Sequence, residues 1–172
     1  MNFTASQVTS PSLSEYVWDA RFSLMPLLYL RVIDSFVGGR GAGQVALLSA
    51  VPIGSAGGTT EMNSSSLHRF LAEAVWYPTA LLPIPALSWT LIDDASALVT
   101  LTQGAISVSL EFRFNQCDEV ESVRGDHLMV GSNRLPEKAC FETMLGAMAY
   151  SFRIRVRWAG TPTVNGVLCG PA

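Results

Sequence analysis

Charge is scarce in this chain. Only 15% of its residues are Asp, Glu, Lys or Arg, and the formal net charge is -3. No global field draws such a chain to nucleic acid or to an anionic membrane. Its three cysteines, Cys117, Cys140 and Cys169, have no metal-ligand spacing, and an odd number argues against a disulfide framework. Two histidines, His68 and His127, are too few for a histidine-rich metal site, so neither a metal nor a cofactor is expected. The opening residues, MNFTASQVTSPS, hold neither a basic stretch nor an apolar stretch of signal-peptide type. Two long uncharged windows are broken, Gly41–Thr60 by glycines and Ala74–Ile92 by Pro78, Pro83 and Pro85. Neither reads as a spanning helix. These absences lead to the expectation of a reduced, cytoplasmic chain with no transmembrane segment.

What remains is apolar. Hydrophobic residues make up 49% of 172 residues, enough for one domain with a real core. With so little charge, some apolar surface is expected to meet a ligand, a partner or another segment.

Residues 1–14 are rich in Ser and Thr and read as a frayed start or a short edge strand. Tyr16–Leu30 is apolar around Asp19 and Arg21, and Pro26 divides it into strand, bend and strand. Arg31 and Asp34 lie in the next strand-like run; these charges and those of Asp19 and Arg21 are expected to pair across the sheet. Gly41-x-Gly43-x-x-Ala46 fits a loose dinucleotide fingerprint. No helix start follows it and the strand before it is charged, so a glycine-rich hairpin is the better reading. Ile53–Thr60 reads as a Gly/Ser loop.

The best-formed element is a helix over residues 66–76, capped by one of Ser64, Ser65 or Ser66. Leu67, Phe70, Leu71, Ala74 and Val75 make one apolar face, and Pro78 ends the helix. Arg69 and Glu73 are spaced as an i,i+4 pair, while His68 and Glu73 fall on different faces. Downstream, Leu87–Ile92, Ala97–Thr102, Ile106–Phe114 and Glu119–Arg124 read as successive strands. Asp93-Asp94 and Gln103-Gly104 form turns between them. The expected fold is α+β: a curved antiparallel sheet, half-barrel-like, packed on the central helix.

Trp18–Pro26 (WDARFSLMP), Arg31–Gln44, and above all His68–Pro83 (HRFLAEAVWYPTALLP) with Trp89 and Ile92-Asp93 resemble an uncharacterised bacterial family, a domain of unknown function. Ser109–Phe114 (SLEFRF) fits as well, and the resemblance covers residues 3–124. It implies no reaction and transfers no catalytic residues. Its strand–helix–strand order is similar to the half-barrel of lipoprotein carriers, and family members begin upstream of the position of Met1. They also continue past Gly125 with an Arg-Asp-Tyr-Ala segment and, later, Val-Gly-Trp. Codons permitted for Phe141–Leu145 and Phe152–Gly160 yield both segments in one shifted frame. Residues 125–172 therefore read as a frameshifted tail, and the basic strand Phe152–Trp158 carries no nucleic-acid assignment.

Trp76, Tyr77, Trp89, Phe112 and Phe114 are the candidate lining of an apolar cavity between helix and sheet. The leading expectation is binding of a lipid or other apolar small molecule. The alternatives are an enzyme using polar residues near the helix exit, or an inactive fragment.

Overall fold

The computed structural model describes residues 3–116, 119–128, 138–140 and 143–144. The readings made for residues 145–172 lie outside the described residues. Among the described residues, two antiparallel meanders flank a single α-helix. The first contains β1 (Phe3–Ser10), β2 (Glu15–Met25), β3 (Leu28–Val37), β4 (Arg40–Leu47) and β5 (Val51–Gly57) in chain order. Helix α1 (Thr60–Glu73) follows, with short 3-10 turns at Ala74–Trp76 and Pro78–Leu81. The second meander contains β6 (Leu87–Asp93), β7 (Ser96–Gln103), β8 (Ile106–Phe114) and β9 (Val120–Arg124), with β12 (Thr143–Met144) beside β9. The short strands β10 (Asp126–Leu128) and β11 (Lys138–Cys140) pair apart from both sheets. The α+β class and the antiparallel strands are as expected; apart from the β10–β11 pair the strands form two five-stranded sheets, and these do not close into a barrel.

Period-two burial explains the second sheet. Val108, Leu110 and Phe112 of β8 are buried, and Val99 and Leu101 of β7 join them. Ser107 and Ser109 point the other way and reach the hydroxyls of Thr102 and Thr100 across the ladder. Leu67, Phe70 and Leu71 of α1 and Ala74 just past its end merge with this layer in one buried cluster, which Tyr16 and Phe36 extend to the first sheet. Each large side chain so buried contributes about 1.5–3 kcal/mol.

The helix starts earlier than the serine run indicates. Thr59 is the N-cap, its hydroxyl accepting from Met62 N at 3.1 Å. Ser64, Ser65 and Ser66 sit inside the helix, and Ser66 is buried because α1 presses closely on β4. Gly41 permits that approach: a Cβ there would lie 2.8 Å from Met62 O and against Ser66 Oγ. Asn63 Oδ1 accepts from Gly41 N at 2.7 Å and fixes the contact. The glycine-rich stretch is indeed a hairpin, its turn made by Gly38 and Gly39 at φ 59° and 75°. The loop expected over Ile53–Thr60 is instead largely strand β5. It is exposed throughout and so shows no alternation; pairing with β4 alone defines it.

Candidate functional site

The two sheets leave a groove of about 990 Å³ between the first sheet and α1. Its floor comes from Tyr16 and Trp18 of β2, Val32 of β3, Gly43 and Val45 of β4, and Gly54 and Ala56 of β5. Met62, Ala72, Val75 and Trp76 form the helix side, and Leu110 and Val123 close it from the second sheet. Glycine and alanine on the outer strands keep the floor open, while aliphatic and aromatic carbon dominates the walls.

One polar network interrupts this surface, with Arg69 at its hub. Its Nε donates to Glu73 Oε1 at 2.8 Å, one Nη donates to Asp34 Oδ2, and the other donates to Gln7 Oε1 at 3.2 Å. Gln7 Nε2 closes the ring by donating to Glu73 Oε2 at 2.7 Å. The guanidinium also lies 4.9 Å from the Tyr16 ring centroid and 5.3 Å from that of Trp18. Burial works against the Arg69 charge, but Glu73, Tyr16 and Asp34 more than offset it and hold the group firmly protonated. Burial, reinforced by the Asp34 charge, pushes the Tyr16 phenol well above its ordinary range, so it remains neutral. Three strands and the helix are thereby joined at one point.

His68 also borders the groove. Burial lowers its pKa, only partly countered by its hydrogen bond with Ser64 O at 3.0 Å, so the ring is neutral at pH 7. His68 and Glu73 both border the groove although, five apart on α1, they lie on different faces of the helix. The charge pairing expected across the sheet is found for Arg31, which grips Asp19 at 2.9 and 2.6 Å. Asp34 turns to Arg69 instead, since residues three apart on a strand face opposite sides. Among the described residues, no cluster of His, Cys, Asp and Glu is placed to hold a metal ion.

The structure disperses the aromatic residues singled out from the sequence. Trp76 alone of the five lines the groove. Tyr77 is buried against Phe70, with ring centroids 5.4 Å apart, and its hydroxyl donates to Phe70 O at 2.8 Å. Phe112 lies in the core and Phe114 beside it. Trp89, on the edge strand β6, packs on both at 5.8 and 6.3 Å and donates its indole N–H to Leu81 O. Tyr16 and Trp18 were not singled out from the sequence; they meet Arg69, there read only as the i,i+4 partner of Glu73, when β2 and α1 pack. The alternation Tyr16, Trp18, Ala20, Phe22 was the available signal.

A family model described as a family of unknown function, DUF6920, matches residues 1–144. No curated protein and no solved structure matches the chain. Among the described residues, no helix is long and apolar enough to cross a membrane.

Proposed function

The chain belongs to the DUF6920 family, and we propose that its groove binds a lipid or another apolar small molecule. The observation that carries this reading is the groove itself. A volume of about 990 Å³ with largely carbon walls falls at the upper end of small-molecule sites, about 300–1,000 Å³. The Arg69 network supplies the few fixed polar groups that orient a ligand's polar end, while Trp18, Val32, Val45 and Val75 face its chain. Because Arg69 is already engaged by two carboxylates and a carboxamide, the network acts as a rigid rim.

Organic extraction of the purified protein, followed by mass spectrometry, tests the assignment. A co-purifying lipid or apolar compound, or uptake of an added fatty acid, is expected at one per chain. A protein that yields no such compound and takes up none would contradict it. We further propose that the ligand-binding unit is residues 1–124 and that residues 125–172 come from a shifted reading frame, although the family match runs on to residue 144. The encoding DNA checks that boundary: the alternative frame is expected to spell Arg-Asp-Tyr-Ala and then Val-Gly-Trp, and their absence removes the assignment.

A further inference from the structure

The end of the first sheet carries an apolar surface that the groove does not use. The β2–β3 turn consists of Pro26 and Leu27, with Met25 paired to Leu28. Leu27 is 96% exposed and holds φ at 66°, a left-handed conformation in which glycine or asparagine is the usual residue. Leu24 and Met25 beside it are also exposed. The neighbouring β4–β5 tip repeats the pattern, with Leu48 at φ 54° and exposed Leu48, Val51 and Ile53. The two tips are held side by side. Leu48 N donates to Tyr29 O at 2.9 Å, and the Tyr29 and Ser49 hydroxyls lie 3.1 Å apart. Folding gains nothing from a water-exposed leucine at a strained turn position, so another role must account for Leu27.

Charge and shape indicate what covers this surface. Residues 22–30 and 45–60 contain no charged side chain. Immediately behind the tips, Arg21 and Arg31 stand opposite one another across β2 and β3, and Asp19 balances only one of them. This end is therefore locally positive in a chain of net charge -3. The apolar side chains of the tips are open to solvent, Leu27 almost wholly, so a deformable apolar medium beneath an anionic layer suits them better than a folded partner, which would need a matching pocket. Phe22, Leu30 and Leu47 lie on the same side of the sheet as Ala20, Val32 and Val45, two residues further toward the tips. Apolar side chains thus run unbroken from the tips to the groove.

We propose that the paired β2–β3 and β4–β5 tips dock into the interfacial layer of a lipid bilayer containing anionic phospholipid, with Leu27 as the principal inserted side chain. Docking is a property of the tips and does not require an occupied groove. Flotation of the purified chain with vesicles of phosphatidylcholine and phosphatidylglycerol in equal parts tests it. Wild-type protein is expected to float with these vesicles and less with phosphatidylcholine alone. Leu27→Asp is expected to lower partitioning by about tenfold or more, the scale for burying one leucine. Its thermal unfolding should be no lower than that of the wild type, because the Leu27 side chain is almost wholly exposed and aspartate tolerates the left-handed backbone better than leucine. Arg21→Gln is expected to weaken binding about fivefold at low salt. Leu91→Asp, at an exposed leucine of the second sheet, and Ala56→Trp, which fills the groove, are both expected to bind as wild type. Failure of the wild type to float, an unaffected Leu27→Asp, or equal loss with Leu91→Asp or Ala56→Trp would overturn the proposal. So would tip-dependent dimerisation in solution without vesicle binding.

Discussion

Replacing Arg69 with alanine removes the hub that joins β1, β2 and β3 to the helix. The loss has two parts. Three hydrogen bonds from the charged guanidinium disappear, each worth about 1.5–3 kcal/mol in general, and Asp34 and Glu73 lose their shared cation. Removing one partner of a fully buried pair costs about 3–5 kcal/mol. Here the side chains of Arg69, Asp34 and Glu73 are 29%, 26% and 16% exposed, so water relieves part of that penalty. The expected destabilisation is about 2–4 kcal/mol, or a fall in Tm of roughly 4–16 °C for a chain of this size. Urea unfolding followed by tryptophan fluorescence reads it directly, since Trp18 lies against the guanidinium. Arg69→Lys keeps the charge but cannot reach Asp34, Glu73 and Gln7 at once, so about half of the loss should remain. In an Asp34→Asn background, the cost of Arg69→Ala should shrink by about 1–2 kcal/mol, the signature of direct coupling. An Arg69→Ala protein within about 0.5 kcal/mol of wild type, below the range of such networks, would refute the hub.

Other perturbations follow from the same geometry. Gly41→Ala forces a Cβ to 2.8 Å from Met62 O and should cost about 1–3 kcal/mol in urea unfolding, because helix and strand must separate. His68 has a folded-state pKa below its unfolded value of 6.5, so the unfolded chain binds the extra proton. Its contribution is complete above pH 6.5 and declines as the pH falls through that value. His68→Gln should flatten stability measured against pH in that interval. Phe112→Ala, at a fully buried core position, should cost about 3–5 kcal/mol. Trp89→Ala, on an exposed edge strand, should cost clearly less in the same assay.

Much of the fold was legible because the relevant patterns are local. Ile106–Phe114 alternates, Leu67, Phe70, Leu71 and Ala74 share one helical face, and Pro78 stops the helix; each survives in the structure. The helix start was not legible because the turns before Ser66 carry no apolar period. Their small and polar residues answer to the close approach of Gly41, which lies far away in sequence. β5 was missed for a related reason: an exposed edge strand of glycine, serine and alanine shows no burial pattern. The groove was harder still. Aromatic residues were the visible signal, yet Tyr77, Phe112 and Phe114 serve the core, whereas the cavity owes its space to Gly43, Gly54 and Ala56. The Arg69–Asp34 contact spans 35 positions, and nothing in either local sequence announces it.

Ligand binding in the groove is the central claim, and a groove-filling variant tests it most directly. Ala56 lies on the exposed strand β5 and lines the cavity without belonging to the core. Tryptophan there should occupy ligand volume while leaving the fold intact. Titration with a fluorescent fatty acid is expected to show saturable binding to the wild type. Ala56→Trp should bind about tenfold more weakly or worse, the scale set by lost burial of a few methylene groups, with an unchanged unfolding midpoint. Equal affinity in the two proteins, or no saturable binding to the wild type, would contradict the account.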